Sequence, residues 1–345
     1  MQIKRFLRYP AMLALMVGLI LVFGQQAAWT QPAFDWSQAT PSASPAGRCC
    51  AGGAYDLSSS NVVIFGGGNG GCGGNITFGD TWTWDGSTWT QQAPLTSPPS
   101  RASEAMADNV VGETVLLFGG QNSSVSPAIT YNDTWLWDGA NWVQQFPATS
   151  PSPRSNPFNA MVHDRSTHTV VLFGGMDANL NALGDTWTWD GKTWTQQFPA
   201  TSPPARFNHA MAYDPRTKTV VVFGGQATFS ATSTFDDTWT WDGDNWTQQF
   251  PSASPPARAN ASMTYDMKLR SLVLSGGAAL PFGSAFYSDT WAWDGTNWTQ
   301  LSPATVPPDR YAAAMAYDIA NQSLVLFGGF SSGCQRNDTW VGTGK

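Results

Sequence analysis

Glu104 and His209 are the two residues of this sequence best suited to acid–base chemistry. Each stands three residues after an arginine that opens a repeated segment, and three other segments have alanine there: Ala51, Ala261 and Ala313. A carboxylate and an imidazole across a small cavity could act as acid and base, or could hold one metal ion. Two solvated polar side chains are the favoured interpretation, because spacing within a repeat does not give the distance between them.

The arginines that open the segments are a second candidate for chemistry, since a ring of them could bind an anion. They are Arg48, Arg101, Arg154, Arg206, Arg258 and Arg310. A side chain that recurs in every segment is best explained by the stacking of those segments on one another. We therefore expect the arginines, and the aspartates and tryptophans that recur with them, to be structural.

The segment that must position these residues is a β-hairpin pattern, D-T-W-T-W-D-G-D-N-W at Asp237–Trp246. Threonine and tryptophan alternate along a strand, and Asp242-Gly243 suits a tight turn before the return strand. The pattern begins again at Asp80, Asp133, Asp185 and Asp289, and a shortened copy begins at Asp338. Because two strands cannot bury three indole rings, a period of about fifty residues predicts a propeller or another repeat array.

The two ends of the chain supply complementary parts of one repeat. The interval from Trp36 to Arg48 is the same as the interval from Trp246 to Arg258, so Phe34–Gly47 is the last strand of a repeat whose earlier strands lie at the C-terminus. We predict an all-β fold, a six-bladed β-propeller of four-stranded antiparallel blades in which the N-terminal strand closes the last blade. One propeller domain would cover residues 29–345, with blades beginning near the six arginines.

The first 28 residues have the pattern of a secretory signal peptide. Lys4, Arg5 and Arg8 precede an apolar run, Ala11–Phe23, that is too short to span a bilayer comfortably. Small residues at Ala27 and Ala28 suit cleavage, although an uncleaved N-terminal anchor remains an alternative. We expect a secreted, periplasmic or cell-envelope protein with no membrane span once the signal is removed. The net charge of -7 argues against nucleic acid as a partner.

Several motifs in each repeat resemble those of the kelch β-propeller family. An R-x-x-x-x-M-x-Y-D pattern precedes F-G-G, and D-T-W-x-W-D-G and W-T-Q-Q follow, as at Arg206–Asp214, Phe223–Gly225 and Asp237–Gln249. The secreted bacterial type is the nearest likeness, and it extends over Phe34–Lys345. The resemblance implies six blades of four antiparallel strands closed by an N-terminal outer strand. It does not imply one function, because kelch propellers serve as binding platforms, as sialic acid mutarotases and as the core of galactose oxidase.

The enzymatic members of the family set requirements that this sequence meets poorly. A galactose oxidase-like site implies copper held by tyrosines and histidines, with one tyrosine crosslinked to cysteine, and the chain has three histidines, His163, His168 and His209. A mutarotase-like site implies little more than an acid–base residue and an arginine, so Glu104 with one of the arginines qualifies. We expect no cofactor and no metal.

The loops between the second and third strands of each blade, the b-to-c loops, are where the repeats differ most. Loops of different sequence on a rigid scaffold are a common place for recognition. Their aromatic and polar residues suit hydrogen bonding and ring stacking to a neutral ligand such as a sugar, although plain solvated loops are an equal alternative. The candidate ligand-binding residues are Phe229, Phe235, Phe286 and Tyr287 of these loops, together with Asn159, which lies in an insertion after Arg154.

Four cysteines, Cys49, Cys50, Cys72 and Cys334, suit an oxidising compartment. In the predicted propeller they gather on one face where the first and last blades meet. A bridge between the neighbours Cys49 and Cys50 would be strained, so each is expected to pair with Cys72 or Cys334, and one bridge would then join the ends of the ring. Binding of a metal ion by the four thiolates is the less favoured alternative.

These observations favour a monomeric binding module for a protein or a glycan, acting through the b-to-c loops. An enzyme of the mutarotase or carbohydrate oxidase kind, working at the mouth of the central channel, is the alternative. A purely structural envelope protein is a third interpretation that the sequence leaves open.

Overall fold

The computed structural model describes residues 33–70, 76–109, 112–155, 160–229, 234–279, 285–331 and 333–344. They belong to one unit of the chain, Pro32–Lys345. The regular elements in these ranges are all β-strands. Nowhere in these ranges is there a helix with the length and apolar character needed to cross a membrane. The predicted signal peptide lies outside the described residues.

Six sheets of four antiparallel strands form the propeller, and we name the strands a to d in the order of each repeat. Strand d of blade 6 comes first, as β1 (Phe34–Ala39). Blade 1 contains β2 (Gly52–Asp56), β3 (Asn61–Phe65), β4 (Thr81–Trp84) and β5 (Trp89–Gln91). Blade 2 contains β6 (Ala105–Asn109), β7 (Thr114–Phe118), β10 (Thr134–Trp137) and β11 (Trp142–Gln145), with a ribbon of β8 (Gln121–Asn122) and β9 (Ile129–Thr130) in its b-to-c loop.

The remaining blades repeat this arrangement. Blade 3 contains β12 (Met161–Asp164), β13 (Thr169–Met176), β14 (Ala182–Trp189) and β15 (Trp194–Gln197). Blade 4 contains β16 (Ala210–Asp214), β17 (Thr219–Phe223), β18 (Thr238–Trp241) and β19 (Trp246–Gln249). Blade 5 contains β20 (Ser262–Asp266), β21 (Ser271–Ser275), β24 (Thr290–Trp293) and β25 (Trp298–Leu301), with a ribbon of β22 (Ala278–Ala279) and β23 (Ala285–Phe286). Blade 6 contains β26 (Ala314–Asp318), β27 (Ser323–Phe327), β28 (Thr339–Gly344) and β1.

The predicted closure of the ring is confirmed by blade 6. Strand β1 pairs with β28 in antiparallel register, from Phe34 opposite Gly344 to Ala39 opposite Thr339. The six a strands contact one another in a closed circle around the channel. Since the two ends of the chain complete the same sheet, each of the six blades has its fourth strand.

Strand a begins after the arginine that opens each segment. In blade 4 the segment opens at Arg206, and β16 starts at Ala210. Between them Phe207 forms an isolated bridge with Gln226, and Asn208 has a positive φ of 61°. The chain therefore turns once more before it enters the sheet, and this turn matters for the candidate sites.

The hydrophobic core is divided into layers between adjacent blades. One layer, for example, combines Val171 and Phe173 of blade 3 with Val220, Trp241 and further side chains of blade 4. Each b strand has apolar residues on both faces because it is covered by a blade on either side, which explains its continuous V-V-V-F or V-L-L-F pattern. The stability of each blade therefore depends on both of its neighbours.

The Gly-Gly pair after each b strand is required by close backbone contacts. In blade 4 both glycines have positive φ, and a Cβ on Gly224 would lie 2.6 Å from the carbonyl oxygen of Arg258 in blade 5. A Cβ on Gly225 would lie 2.8 Å from Cβ of His209. The amide of Gly225 donates a hydrogen bond to the same Arg258 carbonyl. The Gly-Gly pair is therefore a point of close backbone contact between one blade and the next.

A second set of bonds between blades comes from the tryptophan that opens each d strand. Its indole nitrogen donates to the threonine of the D-T-W motif in the preceding blade, over 2.8–3.1 Å, as in Trp246 to Thr186. The pairs are Trp36–Thr290, Trp89–Thr339, Trp142–Thr81, Trp194–Thr134, Trp246–Thr186 and Trp298–Thr238. All six blades are linked in one direction around the ring.

We predict that Thr186→Val destabilises the protein by about 1–3 kcal/mol, because the buried indole nitrogen of Trp246 would lose its acceptor. The measurement is the free energy of unfolding in denaturant at unchanged m value. Thr188→Val is the control, because this half-buried hydroxyl lies on the same strand and makes its bonds within its own blade, to Thr195 and Gln197. Equal small effects of the two substitutions would contradict the assigned role of the bond.

Candidate functional site

The six repeat arginines are buried and fully engaged within their own blades. Arg206 donates through Nη1 and Nη2 to the two carboxylate oxygens of Asp237, over 2.5 and 2.8 Å, and through Nη1 to the carbonyl of Gly224. Its Nε donates to the carbonyl of Pro204, and its guanidinium lies 4.0 Å from the ring centre of Phe235. This bidentate geometry recurs in all six blades, so the arginines hold the b-to-c loops in place rather than facing a ligand.

Five of the aspartates in these pairs are held ionised. Burial by itself would raise the pKa of Asp237, but the hydrogen bonds and the charge of Arg206 outweigh it, and the pKa is lowered. The pKa is lowered for the same reasons in Asp80, Asp133, Asp185 and Asp338. A carboxylate whose pKa is lowered by folding stabilises the fold at any pH above its pKa in the unfolded chain, which is near 4. This stabilisation is lost as the pH falls through the pKa of the folded state.

Glu104 is completely buried at the boundary between blades 1 and 2. Its Oε1 accepts a hydrogen bond from the amide of Gly52 over 2.7 Å, and Oε2 has no hydrogen-bond partner among the described residues. Burial raises the pKa of this carboxyl to about 8, against smaller opposing contributions from the Gly52 amide and from Arg101. Glu104 is therefore neutral at pH 7 and has no access to solvent.

His209 is buried in the same way between blades 3 and 4. Its ring makes an edge contact with Phe173, with ring centres 5.5 Å apart, and neither nitrogen has a hydrogen-bond partner in the described ranges. Burial, with a further contribution from Arg206, lowers the pKa of His209 to about 3. The two predicted acid–base residues thus lie in different layers and do not line one cavity.

The aromatic loop residues have mixed roles. Phe235 and Tyr287 cover the guanidinium groups of Arg206 and Arg258 at 4.0 Å, so one face of each ring already has a partner. Phe286 stacks on Tyr311 with ring centres 5.4 Å apart. Phe229 contacts Phe207 but remains half exposed. The fifth candidate, Asn159, lies outside the described residues.

Exposed apolar side chains mark the b-to-c loop face. They occur on the loops of blades 1 to 4, with exposed fractions of 42–59%: Ile76, Val125, Ile129, Leu180 and Phe229. A folded surface ordinarily has scattered apolar residues, but these lie on equivalent loops of four successive blades. A second and more exposed set follows strand d in the same blades: Leu95, Phe146, Phe198 and Phe250. The Arg–Asp pairs hold the bases of the b-to-c loops.

The cysteines differ from the expected pairing. Cys49 and Cys50 are free thiols, and their sulfur atoms are 3.3 Å apart. The predicted bridges from these two residues to Cys72 and Cys334 are therefore wrong. Cys72 lies outside the described residues. Among the described residues no group of three or more His, Cys, Asp or Glu side chains is arranged as a metal site.

The channel holds a site that the sequence analysis missed. A cavity of about 180 Å³ is lined by the a strands of all six blades, with methionine side chains around its wall. Four blades place a tyrosine near the end of strand a, but blades 2 and 3 have Asp108 and His163 there. Nδ1 of His163 lies 3.9 Å from Oδ2 of Asp108, which also lies 3.5 Å from Nη2 of Arg165.

This polar group lies at the end of strand a that is remote from the b-to-c loops. His163 is 2% exposed, and its pKa is lowered by burial against the opposing charge of Asp108. The break in the Tyr-Asp pattern in two consecutive repeats was the signal that could have identified the pair. A small polar group entering the channel from this side would meet one carboxylate, one imidazole and one guanidinium.

We predict that His209→Ala removes a source of acid sensitivity. A neutral histidine with a folded pKa near 3 stabilises the fold fully above its unfolded pKa of about 6.5, and this contribution is lost as the pH falls, at up to about 1.4 kcal/mol per unit. Alanine suits the position, because Ala51, Ala261 and Ala313 occupy it in other blades. The unfolding free energy of the wild type minus that of the variant should fall steadily from pH 7 to pH 4.

Glu104→Ala provides the matched comparison with the opposite sign. Its raised pKa destabilises the fold as the pH rises from about 4.3 to 8, so this variant should gain stability relative to wild type over that range. If the unfolding free energies of the wild type and both variants changed with pH in parallel, neither group would be held in the protonation state described.

Comparisons with known proteins agree with this fold. The chain is similar to the dynein alpha chain of the flagellar outer arm of Chlamydomonas reinhardtii, at 29% identity over 173 residues, or 46% of this chain and 4% of that protein. It is also similar to tRNA wybutosine-synthesizing protein 4 of Aspergillus oryzae (strain ATCC 42149 / RIB 40), at 33% identity over 113 residues, or 32% of this chain and 10% of that protein. The chain spans a tenth or less of the length of these relatives.

A solved structure titled "Structure of YjhT" has a TM-score of 0.63 and 17% identity, covering 87% of this chain and 95% of that one, which supports the fold alone. The family model described as the KLHDC2/KLHL20/DRC7 Kelch-repeats domain matches residues 110–305 and 192–342, more than half of the chain. With the six blades and their Gly-Gly, Arg–Asp and Trp–Thr contacts, this match shows that the chain belongs to the kelch-repeat β-propeller family.

Proposed function

We propose that this chain is an exported kelch propeller that binds a protein ligand through its b-to-c loop face. The kelch propeller fold itself suggests a binding or interaction module. The observation that carries the finer proposal is the set of half-exposed apolar side chains on the loops of four successive blades. Apolar groups on a fixed support lose little conformational freedom on binding, which favours a protein surface as the ligand.

A protein suits this face better than a glycan does. Recognition of a sugar ring would use free aromatic faces, but Phe235 and Tyr287 cover buried arginines, and Phe286 covers Tyr311. The exposed apolar side chains of the b-to-c loops are mostly aliphatic, as in Ile76 and Leu180. Acid–base catalysis by Glu104 and His209 has no support, because these two residues are buried in separate layers.

We predict that Leu180→Ser combined with Phe229→Ser weakens ligand binding at least about tenfold, as expected when exposed apolar anchors of an interface are lost. A photo-crosslinking residue at position 180 should form adducts with one extracellular protein in the native culture, and the double variant should compete poorly for that protein.

The control is Phe198, which is also highly exposed but lies after strand β15 at the outer rim. Crosslinks from position 198 and loss of binding in Phe198→Ser, with the loop variant unaffected, would overturn the proposed face. Saturable binding to a glycan array by the wild type, with the same loss in the loop variant, would replace the protein ligand by a sugar.

The export part of the proposal rests on the N-terminal sequence pattern. Its positive residues, its short apolar run and the small residues at Ala27 and Ala28 are those of a cleaved signal. We predict that protein isolated from its native cells is found outside the cytoplasm and begins near Trp29. The measurement is intact mass together with N-terminal sequencing of each cell fraction. A cytoplasmic protein that retains Met1 would contradict export.

A further inference from the structure

Cys49 and Cys50 form a thiol pair in the turn between Arg48 and strand β2. Sγ of Cys50 lies 3.3 Å from Sγ of Cys49, and its thiol is directed towards that sulfur. Both residues are half-buried. Formation of a bond would bring the two sulfur atoms from this distance to about 2.0 Å, and the short span between neighbouring residues would strain the bridge and make it more easily reduced.

The backbone around the pair is fixed from several sides. The amide and the carbonyl of Cys49 both bond to Gly68, over 3.0 and 2.9 Å. The amide of Cys50 donates to the carbonyl of Ala312 in blade 6, and the carbonyl of Cys50 accepts from Ser103 in blade 2. Three blades therefore meet at this dipeptide, and the positions of the sulfur atoms are set by the ring itself.

The backbone conformation at this dipeptide recurs in other blades, whereas the two thiols are particular to blade 1. Cys50 has a φ of 62°, and the corresponding residues of other blades have nearly the same value, 60° at Ser103 and 62° at Ala312. Blade 2 has Ala102-Ser103 at the positions of Cys49-Cys50. The repeat thus requires no sulfur there, and the thiols are available for chemistry of their own.

The two thiols differ in acidity. The hydrogen bond from Cys50 lowers the pKa of Cys49, although burial opposes this. The same contact raises the pKa of Cys50, and burial and the nearby Glu104 carboxyl raise it further. Cys49 is therefore the better nucleophile, and Cys50 keeps its proton until a later step.

We propose that Cys49 and Cys50 are a two-electron thiol–disulfide site that reacts with a low-molecular-weight disulfide of the glutathione type. The Cys49 thiolate attacks one sulfur of the small disulfide, whose S–S bond breaks as a bond to Cys49 forms, and the first small thiolate leaves and takes a proton from water. Cys50 then loses its proton to water and attacks Sγ of Cys49. The second small thiolate leaves and is protonated.

The products are a Cys49–Cys50 disulfide and two small thiols. The protein loses two electrons and two protons, and the small disulfide gains them, so the exchange balances without another reactant. The reverse reaction with excess small thiol restores the two thiols. The site is independent of the proposed ligand face, since it uses none of the exposed apolar side chains.

The test is mass spectrometry of the purified protein after incubation with oxidised glutathione and alkylation of the remaining thiols. Cleavage before aspartate gives the peptide Asp35–Tyr55, which contains both cysteines, and separates it from Cys72 in Asp56–Gly79. We expect the first peptide to have lost two hydrogens and to carry no alkyl group. After reduction it should take up two alkyl groups.

Two variants copy the blade 2 residues and should fold for that reason. Cys50→Ser should retain glutathione on Cys49, because the resolving thiol is gone, and Cys49→Ala should react with glutathione more slowly than Cys50→Ser does. Thermal unfolding confirms that both variants are folded. Two alkyl groups on Asp35–Tyr55 of the oxidised wild type would overturn the proposal, as would its linkage to the Cys72 or Cys334 peptide, or absence of glutathione from Cys50→Ser.

Discussion

The contact between an arginine carbonyl and the Gly-Gly pair of the preceding blade is the constraint on which the propeller depends. The second glycine donates its amide to that carbonyl, and the first lies so close to it that a Cβ would collide. The same arginine uses its side chain within its own blade, against the D-T-W aspartate and its own first glycine. One residue therefore couples neighbouring blades through its backbone and organises a b-to-c loop through its guanidinium.

This coupling explains why the residues that recur in every repeat are not available for binding or catalysis. The tryptophan of strand d is bonded to the preceding blade, and the glycine of W-D-G lies against the turn between strands a and b of that blade, as Gly243 does against Thr167. Buried, paired groups of this kind determine how blades stack. The positions at which the repeats differ are not needed for the stacking of blades.

Blade number, strand order and ring closure could be predicted because they depend on features that repeat. Equal intervals from Trp to Arg identify the shared blade without any knowledge of distances. The environment of single residues could not be predicted in the same way. Glu104 and His209 occupy one position of the repeat, and the sequence does not show that this position faces the second glycine of its own blade, away from the channel.

The thiol pair was missed for a related reason. The chain turns at Cys50 with positive φ before strand β2 begins, and the sequence does not show this turn. The Asp108–His163 pair was missed because the Tyr-Asp pattern was taken as uniform. Two consecutive repeats depart from the Tyr-Asp pattern, and the fold places the two replacing residues side by side in neighbouring blades.

The positions at which repeats differ fall into two groups with different energetic consequences. Glu104 and His209 are buried, and the fold must keep both neutral, so each makes the stability of the propeller depend on pH in its own direction. Cys49, Cys50 and Asp108 retain some access to solvent, at opposite ends of the a strands. The contacts between blades do not use these side chains as repeated elements, so new chemistry can be placed there without weakening the ring.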